Sequence, residues 1–153
     1  MSTFTNTTAN NPPFPVSIQD PKESRVTTVQ KLSDLTGRSL LAVLFLFSGL
    51  GKIGAYAATA GYMSAFGVST AWLPIVIATE VLGAIAIVVG WQTRIAAFLL
   101  AGYSLFTAFI FHANFADQIQ MIMFLKNVSI AGGFLLLLAN GAGALSLDRR
   151  LGK

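Results

Sequence analysis

The sequence contains no cysteine and few charged residues. Only 10% of its 153 residues are Asp, Glu, Lys or Arg. The absence of cysteine excludes disulfides, thiol redox chemistry and thiolate metal sites within this chain. A soluble domain carries about 25% charged residues, so this chain has too few to cover the surface of one. The sequence also lacks a metal-ligand cluster and a Gly-rich phosphate-binding loop.

Apolar residues, by contrast, make up 54% of the chain. They concentrate in four runs: 38–55, 72–90, 94–111 and 118–138. Each run is close to the ~20 residues that cross the hydrocarbon core of a bilayer as a helix. Short connections after the second and third runs predict antiparallel neighbours. The sequence therefore predicts an all-α fold, an integral membrane four-helix bundle.

Three further segments flank these runs. Residues 1–30 are rich in Ser, Thr, Asn and Pro and predict a disordered cytoplasmic tail, ahead of a four-span membrane domain over 31–153. Residues 24–36 carry apolar side chains along one side, which favours a short juxtamembrane helix. Residues 56–68 are weakly apolar and uncharged, which is typical of either a short interfacial helix between spans one and two or a re-entrant segment.

Basic residues are distributed asymmetrically around the spans. The loops at 56–71 and 113–117 contain none. Eight lie in the opposite segments: Lys22, Arg25, Lys31, Arg38, Arg94, Arg149, Arg150 and Lys153. The positive-inside rule then predicts that both termini are cytoplasmic. This placement explains the net charge of +4 without a nucleic-acid partner. A cleaved signal peptide ending near Ala57 is disfavoured because 37 residues precede Arg38.

Besides the arginines that begin two of the runs, four ionisable residues, one per span, lie within the runs or at their edges: Lys52, Glu80, His112 and Lys126. Such a residue costs roughly 2.5 to 3.5 kcal/mol on insertion scales and usually faces a bundle interior or a wet cavity. Counting from the span ends puts all four in the outer half of the bundle. Glu80 and Lys126 lie at similar depth, so we expect Glu80 to be protonated or paired, with Lys126 as its first partner and Lys52 as the next candidate.

These residue types suggest roles. Glu80 and His112 are candidate catalytic residues, because a carboxyl group and an imidazole can move protons. Candidate substrate-binding residues come from the first and fourth spans: Lys52, Gln120, Lys126 and Asn127. Structural alternatives stay open, since Lys52 can snorkel to the interface, a Glu80–Lys126 pair can simply hold helices together, and His112 can be an interfacial hydrogen-bonder. A single histidine excludes a bis-histidine haem within the chain.

An ordered set of short motifs spans most of the chain. The motifs are Ser48-Gly49-Leu50-Gly51-Lys52, Glu80-Val81-Leu82-Gly83, Phe109-Ile110-Phe111-His112, Lys126-Asn127 with Gly132-Gly133, and Ser146-Leu147-Asp148. Together and in this order, over residues 35–150, they resemble the DoxX family of small four-helix bacterial inner-membrane proteins. The resemblance implies a multi-pass protein of the bacterial inner membrane, surrounded by the lipid bilayer.

The resemblance also implies a function. Members of this family are linked to redox systems that use quinones or thiols, which suggests a membrane subunit with a polar site and a quinone as candidate ligand. Since the chain has no cysteine, thiol chemistry would come from a protein partner in a redox complex, and a homo-oligomer is the other expected assembly. Whether the chain is itself an enzyme stays open. The alternatives are a carrier or exporter of a small molecule and a non-catalytic anchor or assembly protein.

Overall fold

The structure is a computed structural model that describes residues 27–152. These residues form helices joined by short turns, and no strand occurs among them. Residues 1–26 lie outside the described residues, and with them most of the disordered tail predicted over 1–30. The described part of the chain confirms the all-α prediction.

Six α-helices follow one another along the described residues: α1 (Thr28–Gly54), α2 (Tyr56–Ala65), α3 (Leu73–Val89), α4 (Thr93–Phe111), α5 (Gln118–Asn140) and α6 (Leu147–Arg150). A 3-10 turn leads into α3. Four segments, α1, α3 with its preceding turn, α4 and α5, are long and apolar enough to cross a membrane. The predicted four-helix membrane bundle is therefore confirmed.

Helix α1 starts well before the first predicted span. It begins with a capping box, in which the Thr27 hydroxyl accepts from the Gln30 amide at 3.3 Å and the Gln30 side chain accepts from the Thr27 amide at 2.8 Å. The helix then continues without a break through Arg38, whose side chain is buried. Helix is thus present over the described residues of the segment 24–36, but they form the first turns of α1 rather than a separate short helix.

The segment after α1 forms the short helix α2, one of the two alternatives predicted for 56–68. Its aromatic side chains pack against the end of α4. The Tyr62 ring stacks on the Phe111 ring at a centroid distance of 5.4 Å, and the Phe66 ring meets Phe111 edge-on at 5.2 Å. Helix α2 therefore lies across the end of the bundle at which α1 and α4 end.

Small residues bring the long helices close together. Helix α3 packs between α1 and α4, and α5 packs along α4. Phe45 of α1 meets Phe134 of α5 edge-on at a centroid distance of 5.3 Å. Alanines let helix backbones approach closely inside a membrane. They dominate the shared core: Ala42, Phe45, Ala84, Ile87, Ala96, Ala97, Leu100, Ala101, Ala131 and Phe134.

Candidate functional site

A buried ion pair lies between α1 and α3. The Nζ atom of Lys52 is 2.8 Å from Oε1 of Glu80 and 2.9 Å from Oε2. The Glu80 side chain is 2% exposed and the Lys52 side chain 23%. Glu80 lies on the second turn of α3 and Lys52 on the last turn of α1. The antiparallel packing of these two helices therefore brings the pair together.

Two hydroxyl groups complete the surroundings of the Glu80 carboxylate. Ser48, one helical turn before Lys52, donates to Oε1 at 3.1 Å and accepts from the Lys52 ammonium at 2.6 Å. The Tyr103 hydroxyl on α4 donates to the same oxygen at 2.7 Å. A carboxylate inside a membrane needs such donors, because an unpaired charge there costs several kcal/mol. The four side chains thus tie α1, α3 and α4 together at one point.

This arrangement corrects the expected partner of Glu80. The sequence favoured Lys126, but the ion pair is made by Lys52. The prediction rested on the depth of each residue along its helix, and depth does not determine the direction in which a side chain points. Helix α5, which carries Lys126, packs mainly against α4 rather than against α3. Lys126 shares the cavity wall with Glu80 but forms no ion pair with it.

The predicted site residues nevertheless share one cavity. Its volume is about 940 Å³, and it lies in the half of the bundle that contains the ends of α1 and α4 and the starts of α3 and α5. We call this half the Lys52 end. Five of the six predicted site residues line the cavity: Lys52, Glu80, His112, Lys126 and Asn127. Most of the remaining wall is apolar and includes Phe45, Phe106, Phe111, Tyr62 and Val76.

The sixth predicted residue, Gln120, acts on the cavity through His112. Its Oε1 atom is 2.7 Å from Nδ1 of His112. A carboxamide oxygen only accepts hydrogen bonds, so Nδ1 carries the proton in this contact. Within residues 27–152, Nε2 of His112 has no hydrogen-bond partner. In the neutral tautomer with its proton on Nδ1, Nε2 is the proton-accepting nitrogen of a residue that lines the cavity.

Tyr103 is the site residue that sequence analysis undervalued. Tyr103 lines the same cavity as Thr107 and His112. The cavity is wide enough to be reached from several faces of α4. The usable signal was a tyrosine among apolar residues in the middle of a span, where a hydroxyl needs a partner. Asn127, in contrast, uses its amide to donate to the Met123 carbonyl one turn earlier, at 2.9 Å.

The opposite end of the bundle, which we call the Arg38 end, is closed by polar contacts. The buried Arg38 guanidinium donates to the Ala142 carbonyl at 3.0 Å and to the Leu145 carbonyl. The Asp148 carboxylate accepts from the backbone amides of Gln92 and Thr93, each at 2.8 Å, at the start of α4. The segment after α5 therefore folds back over this end of the bundle. Within residues 27–152 no cluster of His, Asp or Glu could hold a metal ion.

Four apolar helices around a cavity with a buried ion pair define a small polytopic membrane protein. The sequence matches the DoxX family over residues 33–113, and the chain belongs to that family. It is similar to the inner membrane protein YqjF of Escherichia coli (strain K12), with 48% identity over 128 residues, which cover 82% of this chain and 98% of that protein. It is also similar to the inner membrane protein YphA of the same organism.

The match to YphA shows 42% identity over 123 residues and covers 76% of this chain and 88% of that protein. No solved structure matches the chain. The family, these relatives and the four apolar helices agree that this is a multi-pass protein of the inner membrane. The family expected from the sequence is therefore confirmed.

Proposed function

We propose that the chain is the membrane subunit of a quinone-linked redox system and that its cavity binds the quinone ring. One observation carries this proposal. The cavity combines apolar, partly aromatic walls with a small set of polar groups that come from five helices. Sites for small molecules and cofactors have this composition, with a few polar groups that orient the ligand.

The dimensions of the cavity fit such a ring. Ligand pockets commonly have volumes of roughly 300 to 1,000 Å³, and this one has about 940 Å³. Phe106 and Phe111 offer flat apolar surface for an aromatic ring. Lys126, His112 and Asn127 would hold the ring oxygens, because all three line the cavity with polar side chains. A bound quinone would supply reversible electron and proton transfer.

The residues that surround the ring then divide into two groups. His112 exchanges a proton at Nε2, while Gln120 holds its ring through Nδ1. Glu80 already accepts hydrogen bonds from Lys52, Ser48 and Tyr103. That environment suits a carboxylate that holds neighbouring side chains in place. It suits a carboxylate that transfers protons less well. His112 is accordingly our candidate for proton transfer, and Glu80 is the positioning residue.

Electrons would have to reach the cavity from a protein partner. The chain contains no cysteine, and within residues 27–152 it has no metal-binding cluster. A second redox protein on the membrane surface next to the Lys52 end is the assembly we propose. Transport of a small molecule through the bundle receives less support, because the Arg38 contacts and the packed core separate the cavity from the opposite surface.

Ring binding can be tested with the two tryptophans of the chain. Trp72 lines the cavity and Trp91 does not. In the Trp91→Phe protein, reconstituted in lipid nanodiscs, we expect an uncharged dimethylnaphthoquinone to quench the fluorescence of Trp72 in a saturable way. Val76→Phe fills part of the cavity and should weaken this binding at least about tenfold, a loss of about 1.4 kcal/mol.

Val88→Phe is the matched control. Val88 lies on the same helix, is 41% exposed and is not part of the cavity wall. It should leave the affinity unchanged. Saturable binding that is insensitive to Val76→Phe would place the quinone outside the cavity. Complete absence of saturable quenching would contradict the proposal and favour an anchoring or assembly role.

A further inference from the structure

Lys126 is the cationic residue of the cavity that the described chain does not neutralise. Within residues 27–152 it has neither an ion pair nor a hydrogen bond. Lys52, the other ammonium group of the cavity wall, is fully engaged by Glu80 and Ser48. The two lysines of the cavity therefore have different electrostatic surroundings.

The position of Lys126 makes this charge costly. It lies eight residues after the start of α5, which corresponds to about 12 Å along the helix axis. Lys126 is exposed on the helix surface rather than packed inside the protein, and at this depth in a membrane a charged side chain normally faces a partner or a wet cavity. Lys126 lines the cavity next to Asn127. Its counter-charge is therefore expected inside the cavity.

The net charge of the whole cavity wall also indicates a counter-charge inside the cavity. Lys52 and Glu80 cancel each other, Lys126 contributes one positive charge, and His112 contributes either none or a further positive one. The Tyr62 and Tyr103 hydroxyls are neutral groups. With a neutral His112, a ligand with one negative charge neutralises this wall, whereas an uncharged ligand leaves Lys126 without a counter-ion.

We infer that the ring bound in this cavity is a monoanion, an acidic quinone whose ionised ring oxygen pairs with Lys126. The inference rests on the proposed quinone site and specifies the chemical class of its ligand. Asn127 lies next to Lys126 on the cavity wall, and its amide nitrogen already donates to Met123. Lys126 therefore sets the preference for charge, while the apolar wall accepts the ring.

The test compares two quinones of nearly equal size. Phthiocol carries a ring hydroxyl that is ionised at neutral pH, and dimethylnaphthoquinone has a methyl group in its place. In nanodiscs of phosphatidylcholine, with Trp72 as the reporter, we expect phthiocol to bind at least about tenfold more tightly, since a close charge pair at partly buried sites is worth several kcal/mol before desolvation. Lys126→Met should abolish the preference, so that the two quinones bind with equal affinity.

Two further variants complete the design. Lys31→Met removes the same charge on α1, outside the cavity, and should keep the preference. Lys126→Arg keeps the charge and should keep most of the preference, so the inference can be tested even if Lys126→Met is poorly folded. Adding phosphatidylglycerol to the nanodiscs should leave phthiocol binding unchanged.

The outcomes separate this inference from the proposed function. Equal affinities for the two quinones would overturn the monoanion and leave the quinone site standing. A preference that survives Lys126→Met would overturn Lys126 as the counter-ion. Displacement of phthiocol by phosphatidylglycerol would assign the negative charge to a lipid head group instead. If neither quinone binds, the quinone site itself is wrong.

Discussion

At the scale of single residues, Glu80 explains most of the polar architecture. Its side chain is 2% exposed and accepts hydrogen bonds from groups on α1 and α4. Lys52, by comparison, is 23% exposed and can turn towards the membrane surface when its partner is lost. The two residues of the ion pair therefore differ, because only Lys52 can move its charge out of the buried site.

This inequality predicts an asymmetric mutant series. Lys52→Met strands a buried carboxylate and should destabilise the fold by about 3 to 5 kcal/mol. Glu80→Gln strands an ammonium that can move outward and should cost less. The double variant should be more stable than the sum of the two single changes implies. The free energy of unfolding in mixed detergent micelles, measured for all four proteins, provides the comparison.

Lys126 provides the matched control for that series. Lys126→Met combined with Glu80→Gln should give additive effects, because no ion pair or hydrogen bond joins these two side chains. Coupling between Lys126 and Glu80 of the size expected for Lys52 and Glu80 would contradict the pairing. It would restore the partner that depth along the spans first suggested.

At the scale of helices, the close approach of α1 and α3 positions the ion pair. A Cβ atom added at Gly49 would lie 2.7 Å from Cγ2 of Val81 and 3.1 Å from Cβ of Glu80. Valine has one strongly preferred rotamer in a helix, so Val81 cannot readily turn away. The absence of a side chain at Gly49 thus allows Lys52, three residues later, to reach the carboxylate.

Gly49→Ala should therefore separate the two helices. We expect overpacking to cost about 1 to 3 kcal/mol, partly offset by the better helix propensity of alanine, about 1 kcal/mol. Gly51→Ala is the control on the same helix, since nothing lies within 4 Å of the added atom. Relative to the parent, Gly49→Ala should lower the free energy of unfolding and Gly51→Ala should raise it. Equal values for the two variants would argue against a tight contact between α1 and α3.

The boundaries of α3, α4 and α5 could be predicted from the sequence, but the start of α1 and the packing partners of the helices could not. The spans predicted at 72–90, 94–111 and 118–138 end within two residues of α3, α4 and α5. Long apolar runs determine such boundaries because a bilayer imposes a length. The rotation of each helix about its own axis depends on packing. The pairing of Glu80 with Lys52 instead of Lys126 could therefore not be predicted. Arg38 was treated as a flank of the membrane for the same reason.

At the scale of the whole molecule, the remaining question is how the bundle is oriented. Lys and Arg are absent from the loops at the Lys52 end, at 56–71 and 113–117, and numerous at the Arg38 end. We expect both termini in the cytoplasm by the positive-inside rule. A reporter that is active only in the periplasm should work after Asp117 and fail after Lys153. The reverse pattern would show that both termini are periplasmic. Activity at both positions would contradict the number of spans.

The closed Arg38 end has a further consequence, for exchange and for voltage. Because the packed core separates the cavity from that surface, we expect a ligand of the proposed site to arrive and depart on the same side of the membrane. A charged ligand then crosses only part of the membrane field, so its occupancy responds only partially to a potential worth about 2.3 kcal/mol per charge per 100 mV across the full bilayer. In vesicles with random insertion, a membrane-impermeant ligand would reach only the molecules of one orientation until detergent opens the membrane.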